Sequence, residues 1–102
     1  MKVYISGAIS TDPDHLDHFQ RTALALRGEG HTVMSPTCLP CGFEYEAYMH
    51  VCFAMIDVCD CVYLMHNWQD SPGACREKLY AESKRIMVIY GSHNNPHLEV
   101  KS

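Results

Sequence analysis

The chain has 102 residues and a formal net charge of −4, a length that accommodates one domain with a single modest core. Its apolar fraction of 47% and charged fraction of 20% are typical of globular proteins. The eight Lys and Arg residues are scattered, so no basic stripe is available to bind a nucleic acid duplex. The apolar runs are too short for a transmembrane helix. Because strand-like residues follow Met1 directly, leaving no room for a secretory signal, we expect a cytoplasmic protein without membrane partners.

Short apolar runs alternate with amphipathic stretches along the chain. Four runs predict buried strands, at residues 3–5, 32–34, 61–65 and 86–90. Three stretches with apolar residues at helical spacing predict helices, at about 12–28, 44–58 and 71–84. Asp12-Pro13 and Ser71-Pro72 each combine an N-cap residue with proline at the first helical position. The segment 91–102 is polar, so we expect a domain over 1–90 and an irregular tail after it.

This alternation predicts an α/β fold with a mostly parallel sheet of four or five strands. Near-continuous apolar strands fit a sheet covered by helices on both faces, which makes a three-layer, doubly wound sandwich of the flavodoxin or Rossmann-like kind. Such folds bind ligands beyond the carboxyl ends of their strands. We therefore expect functional residues in the segments 6–11, 37–46 and 66–73.

The predicted start of the third helix is a candidate binding site. Ser71-Pro72-Gly73 follows a strand directly, and the free N–H groups at a helix N-terminus favour an anion. Gly73 would let a ligand approach the backbone, and the Ser71 hydroxyl could donate a hydrogen bond. Glu77 lies about a turn and a half further on, within reach of the same sheet edge. A well-capped helix carrying a solvated glutamate would show the same pattern.

A second informative stretch ends the first predicted strand, where Ser6-Gly7-Ala8 is small enough for a sugar to lie against the backbone. Three motifs follow one another along the chain: Tyr4-x-x-Gly7-x-Ile9, Asp60-x-Val62 and Ser71-x-Gly73-x-x-x-Glu77-x-x-x-Ala81. In this order, over roughly residues 2–90, they resemble the nucleoside 2-deoxyribosyltransferase superfamily. The chain is most similar to the branch of 2′-deoxynucleoside 5′-monophosphate N-glycosidases and to a related uncharacterised bacterial and phage domain family.

The resemblance implies an enzyme that cleaves or exchanges the N-glycosidic bond of a small nucleotide or nucleoside. Glu77 would be the nucleophile that attacks the anomeric carbon, and Tyr4 would orient its carboxylate. Ser71 and Gly73 would form part of a 5′-phosphate site. Serine at position 71, where transferases acting on unphosphorylated nucleosides commonly carry Asp, favours a phosphorylated substrate.

The end of the first strand completes the implied substrate site. Ser6, Gly7 and Ile9 are the residues that we expect to contact the substrate there. The resemblance implies no cofactor, and we expect no metal.

One position departs from the family pattern. Members with established activity carry an Asp on the second helix that positions the sugar or supports proton transfer, and Cys52 occupies the matching position. A catalytically inactive nucleotide-binding or sensing module is therefore an alternative function. Among residues of the carboxyl-edge loops, Glu46, Asp70 and His66 are the best placed to compensate. His66 could protonate a departing base, since imidazole titrates near neutrality, and Asp70 could contact the substrate.

Aromatic residues suggest both a base contact and an interface. Trp68 and Tyr48 could stack on a base at the mouth of the site, or they could belong to the core or to an interface. The resemblance implies a homodimer in which the partner chain completes the pocket. The aromatic and methionine side chains of the second helix exceed what one sheet face needs, which fits such an interface; they are Tyr45, Tyr48, Met49, Phe53 and Met55.

The six cysteines suggest two further alternatives. Strong hydrophobic periodicity favours reduced cysteines, partly buried as small apolar residues, over a disulfide scaffold. Cys38-Leu39-Pro40-Cys41 resembles a thioredoxin-type redox motif, although the strand pair and cis-proline that follow such motifs are not recognisable. Cys59 and Cys61 would complete a four-thiolate zinc site, but the second helix should hold the two pairs at opposite edges of the sheet.

Overall fold

The computed structural model describes residues 1–91, so the predicted tail, apart from Gly91, lies outside the described residues. The four strands are β1 (Lys2–Ser6), β2 (Thr32–Met34), β3 (Cys61–Leu64) and β4 (Met87–Tyr90). The three α-helices between them are α1 (His15–Gly28), α2 (Tyr45–Asp57) and α3 (Pro72–Ser83). Single-turn 3₁₀ helices follow β2 at Pro36–Cys38 and β3 at Trp68–Asp70.

All four strands run parallel, in the order β2-β1-β3-β4. Tyr4 at the centre of β1 pairs with Met34 of β2 on one side and with Val62 of β3 on the other. After β1, the chain adds β2 on one side of β1 and then crosses over to add β3 on the other side. The crevice where a doubly wound sheet binds ligands is therefore expected at the carboxyl ends of β1 and β3.

Side chains alternate along β1 and divide the core into two layers. Val3 and Ile5 pack with Phe19 and Leu26 of α1 on one face of the sheet. Tyr4, on the other face, belongs to the cluster built from α2 and α3. Helices thus cover both faces, and the predicted three-layer, doubly wound α/β class is confirmed.

The first helix begins at His15, two residues later than the Asp12-Pro13 pattern predicts with Pro13 at the first helical position. Both carboxylate oxygens of Asp12 are engaged. Oδ1 accepts a local hydrogen bond of 3.0 Å from the Asp14 amide. Oδ2 accepts hydrogen bonds from Nδ1 of His18 at 2.6 Å and from Nδ2 of Asn67 at 3.0 Å. Asn67 follows β3, so its contact with Asp12 joins the loops after β1 and β3.

The third helix begins as predicted. Pro72 is its first residue, and the Ser71 hydroxyl accepts a hydrogen bond of 3.1 Å from the Ala74 amide. Proline at this position loses no helical hydrogen bond, since its missing N–H would have had no partner within the helix.

The second helix uses its large side chains differently from what the interface prediction assumed. Met49 and Met55 are buried in the chain's own core. The Phe53 ring stacks on Tyr80 of α3, with ring centroids 4.2 Å apart. Met49, Phe53 and Met55 therefore pack α2 against α3 and the sheet. For these three residues, the prediction that they form an interface with a second chain was wrong.

All six cysteines are free thiols, and Cys52, Cys59 and Cys61 are buried, as the periodicity suggested. Of the helices within residues 1–91, none is both long enough and apolar enough to cross a bilayer.

The packing of α1 gives a direct test of the fold. Leu26→Ala should lower the free energy of unfolding by about 2–5 kcal/mol, because Leu26 is fully buried against the sheet. Leu24→Ala is the matched control on the same helix, since Leu24 is 58% exposed and should cost less than about 0.5 kcal/mol. Urea unfolding followed by circular dichroism measures both. Equal costs would mean that α1 turns a different face to the sheet.

Candidate active site

A buried carboxylate joins α3 to the central strand. Glu77 is only 5% exposed, and each of its oxygens accepts a hydrogen bond from β1. The Tyr4 hydroxyl donates to Oε2 at 2.7 Å, and the Ser6 hydroxyl donates to Oε1 at 2.6 Å. Tyr4 and Ser6 are two residues apart on a strand and so project from the same face of the sheet. The carboxyl group is therefore held in one orientation.

Small neighbours on α3 let Glu77 reach the strand. Ala74 and Ala81, three residues before it and four after it, lie on the same helix face and are buried. Without bulk at these positions, the helix axis can approach the sheet closely enough for a glutamate side chain to span the gap. The spacing of the third motif thus has a packing role as well as a chemical one.

The electrostatics of the site follow from its burial. Burial raises the pKa of Glu77 and outweighs the hydrogen bonds from Ser6 and Tyr4, which act to lower it. The pKa of Tyr4 is raised well above its ordinary value, first by burial and then by the charge of Glu77. Tyr4 therefore stays protonated, and its hydroxyl donates the hydrogen bond to Glu77. Strongly perturbed groups of this kind cluster at functional sites.

The Cys52 thiol lies beside this pair, on α2. Burial raises its pKa to about 12; the hydrogen bond with Tyr4 acts to lower this pKa, and the neighbouring Glu77 carboxylate acts to raise it. The thiol is therefore neutral at physiological pH. It neither repels the Glu77 carboxylate as a second charge would nor supplies the carboxylate that the resemblance expects at this position.

A cavity of about 790 Å³ opens beside Glu77 at the carboxyl edge of the sheet, which is within the range of small-molecule sites. Its walls come from the loops after β1 and β2, the start of α1, the first half of α2 and the start of α3. Of the described residues that line it, Glu77 and His15 are the only Asp, Glu, His, Lys or Arg residues.

Two glycines shape the cavity. A side chain on Gly7 would bring its Cβ to 3.0 Å from Cβ and Sδ of Met65, so a larger residue would require Met65 to move, whereas glycine lets the end of β1 lie close to the end of β3. A Cβ on Gly73 would lie 3.5 Å from the Tyr45 hydroxyl and 3.7 Å from the Ser71 hydroxyl. Glycine at 73 thus leaves open the space where these two hydroxyls meet the start of α3.

Comparison with known proteins places the chain in a family. Residues 1–90 match the family described as a domain of unknown function, DUF4406. The chain belongs to this family. No curated protein matches it.

Solved structures with the same fold include two enzymes. A 2-deoxyribosyltransferase from Leishmania mexicana has a TM-score of 0.71 at 18% identity, covering 89% of this chain and 63% of that one. A 2-deoxyribosyltransferase from Bacillus psychrosaccharolyticus has a TM-score of 0.74 at 21% identity, covering 100% of this chain and 77% of that one. The DUF4406 chain therefore has the 2-deoxyribosyltransferase fold, as the resemblance implied, and spans less than two thirds of the length of the Leishmania enzyme.

The structure gathers most of the residues that the sequence singled out in this family member. Tyr4 and Ser6 contact Glu77 directly. The remaining ones on the cavity wall are Gly7, Ile9, Ser71 and Gly73.

Three predicted residues are not on the cavity wall. His66 is exposed, and its ring lies edge-on to His18 with centroids 6.1 Å apart. Trp68 packs against Tyr90 of β4, with centroids 5.8 Å apart, and Asp70 is exposed at the end of the 3₁₀ turn. None of these three residues is among those that line the cavity, so contacts between them and a ligand in the cavity are not supported.

Of two further residues that the sequence placed near the site, Glu46 is not on the cavity wall and Tyr48 is. Glu46 is exposed and forms a bidentate ion pair with Arg76 of α3, at 2.8 and 3.3 Å. Tyr48 does line the cavity, while its hydroxyl donates to the Pro40 carbonyl at 2.6 Å. Sequence reasoning missed His15, because the segment expected to be functional after the first strand ended at residue 11. Its place at the start of the helix that follows β1 was the available signal.

The buried carboxylate should cost stability at neutral pH. Because the folded protein raises the pKa of Glu77, the stability gained by protonation is present at low pH and is lost as the pH rises through the folded-state pKa. Glu77→Gln is uncharged and keeps partners for both hydroxyls, so it should raise the free energy of unfolding at pH 7 by about 1 kcal/mol. This gain should shrink as the pH falls towards about 4.

Urea unfolding across this pH range measures the effect. Glu82→Gln is the matched control, since Glu82 is an exposed residue of the same helix, paired only with Lys78 in the described part of the chain, and should change stability by less than about 0.5 kcal/mol. A Glu77→Gln protein that is less stable than the wild type at pH 7 would contradict the raised pKa.

Proposed function

We propose that this protein cleaves the N-glycosidic bond of a deoxynucleotide or deoxynucleoside, with Glu77 as the nucleophile. The observation that carries the proposal is the carboxylate itself, buried, bonded at both oxygens by Tyr4 and Ser6, and placed on the wall of a cavity that can accept a nucleotide. A structural glutamate gains nothing from such a cavity, whereas a nucleophile requires one.

The chemistry follows that of a retaining glycosidase. An oxygen of Glu77 forms a bond to C1′ of the sugar while the C1′–N bond breaks, and its electron pair leaves with the base, which gains a proton. Water, or a nitrogen of a second base, then attacks C1′ and releases the Glu77 carboxylate. Each carboxylate oxygen has lone pairs beyond the one that Tyr4 or Ser6 engages, so these hydrogen bonds orient the nucleophile without blocking it.

The start of α3 supports a phosphorylated substrate. Residues 71–74 at the start of α3 line the cavity. The Ala74 amide is bonded to the Ser71 hydroxyl oxygen, and Pro72 has no N–H. The Gly73 amide and the Ser71 O–H are thus the donors that would hold a 5′-phosphate there. No Lys or Arg is among the described residues that line the cavity. The helix terminus and neutral hydroxyls would therefore hold the anion, in place of a cation.

The enzymes with the same fold favour this class of substrate. Both are named 2-deoxyribosyltransferases, and the Bacillus enzyme is described as a biocatalyst for the synthesis of nucleosides. Their likeness to this chain supports a sugar joined to a base as the ligand of the cavity.

A nucleotide-binding module without catalysis is the second candidate, and Cys52 favours it. A neutral thiol stands where the resemblance expects an Asp, so proton transfer or sugar positioning from α2 is missing. The cavity and the phosphate-type helix start would still bind a nucleotide.

We also propose a homodimer, as the resemblance implies. Although α2 buries its methionines internally, it leaves Val51 exposed, and Val58 is exposed directly after its end. Phe43 and Tyr45 are exposed as well and also line the cavity. Contact with a second copy of the chain would cover them.

Activity on deoxynucleoside 5′-monophosphates tests the main proposal. The wild type should release free base, and Glu77→Ala should lower the rate by at least about 10³-fold, because the covalent step loses its nucleophile. Tyr4→Phe should lower it by about 10–100-fold, since one orienting hydrogen bond is lost. Chromatography of the released base measures both, with Glu82→Gln as the matched control that keeps full activity. Full base release by Glu77→Ala would refute the assignment, and thermal stabilisation by nucleotides without turnover would identify the binding module.

The oligomeric state is testable by sedimentation equilibrium. The wild type should sediment as a dimer, and Val51→Glu should weaken dimerisation by about tenfold or more, because it places a charge in an apolar contact. Leu24→Glu is the control, since Leu24 is exposed on α1 at the opposite face of the sheet. A wild-type monomer at all concentrations would rule out the dimer.

A further inference from the structure

A histidine shares the cavity wall with Glu77. His15, the first residue of α1, is half-buried and lines the cavity. Its Nδ1 lies 3.2 Å from the backbone carbonyl oxygen of Asp12. A carbonyl oxygen only accepts hydrogen bonds, so Nδ1 is the protonated nitrogen and the neutral ring has its lone pair on Nε2. The ring is thus held in one tautomer, with Nε2 as the atom that takes up or releases a proton.

The proposed reaction needs such a group. A base that leaves C1′ takes the electron pair of the broken bond and must gain a proton, and a positioned acid speeds this step by about 10²–10⁴-fold. Cys52 does not serve, because its buried thiol holds its proton up to about pH 12. Tyr48 gives its hydroxyl hydrogen to the Pro40 carbonyl. Imidazole is the commonest general acid in enzymes because it exchanges protons near neutral pH.

The other histidines near this loop have different positions. His18 pairs through Nδ1 with the Asp12 carboxylate at 2.6 Å, and His66 packs edge-on against His18. Neither is among the residues that line the cavity. Asp12 meets His15 through its backbone and His18 through its side chain, which separates the roles of the two histidines.

We propose that His15 is the general acid and base of the reaction, an inference that rests on the proposed function. In the first step, protonated Nε2 gives its proton to the departing base as the C1′–N bond breaks and Glu77 bonds to C1′. In the second step, neutral Nε2 takes a proton from water as the water oxygen bonds to C1′ and Glu77 leaves as a carboxylate. Each turnover returns both side chains to their starting states. The proton transfer that the resemblance places on α2 is thus carried by α1.

Two substrates that differ only in the leaving group test this assignment. 2′-Deoxyadenosine 5′-monophosphate needs a proton on its departing base. The corresponding 2′-deoxyribosyl 5′-phosphate of nicotinamide carries a positively charged ring, which leaves as neutral nicotinamide without a proton. His15→Gln and His15→Asn should lower kcat/KM by about 10²–10⁴-fold on the first substrate and by less than about threefold on the second.

His50→Gln is the matched control, because His50 is exposed on α2 and is not among the cavity-lining residues; it should change neither rate. Thermal melting of both His15 variants shows whether they are folded. Equal losses on both substrates, or retained activity on both, would overturn the role of His15 while leaving Glu77 as the nucleophile. A wild-type protein that cleaves neither substrate would instead overturn the proposed function, and the assignment of His15 with it.

Discussion

The structure depends on a carboxylate held between a helix and the central strand. Glu77 reaches from α3 to β1, where Tyr4 and Ser6 each bond one of its oxygens. Taking a carboxylate out of water costs several kcal/mol unless hydrogen bonds compensate, and here two neutral hydroxyls compensate only in part, since the pKa of Glu77 stays raised. An apolar side chain would pack α3 against the sheet at lower cost. A buried glutamate with a cavity beside it therefore fits the role proposed for Glu77 better than a role in stability alone.

Several other features are conditions for this contact. The alanines before and after Glu77 bring α3 close to the sheet, and Gly7 lets the end of β1 pass against Met65. Because β1 lies between β2 and β3 and bonds to both, its hydroxyl-bearing residues cannot shift along the strand without breaking two ladders. The carboxylate thus has a rigid support, which a nucleophile needs more than a surface residue does.

The loop after β1 shows how tertiary contacts override local propensity. Asp12-Pro13 has the composition of a helix start, yet α1 begins only at His15. Asp12 bonds His18 and Asn67 in addition to the Asp14 amide, and Asn67 in turn accepts a hydrogen bond from the Ala8 amide at 3.1 Å. Hydrogen bonds from His18, the Asp14 amide and Asn67 lower the pKa of Asp12, against the opposing effect of its burial. These hydrogen bonds hold Asp12, Asp14 and His18 close together. We assign no metal to this group of residues.

The sequence by itself determined the class of fold and the identity of the central carboxylate. Apolar periodicity and the cap at Ser71 depend on near neighbours along the chain, so the sequence was enough to predict them. The Tyr4–Glu77 pairing was predicted from the family motifs. Tertiary structure alone decided that His15 lines the cavity, that Trp68 turns toward β4, and that the α2 methionines are internal. Each of these outcomes depends on where a loop or helix face points after packing. That direction is set by partners more than twenty residues away, such as Asn67 for Asp12 and Tyr80 for Phe53, and local spacing carries no information about them.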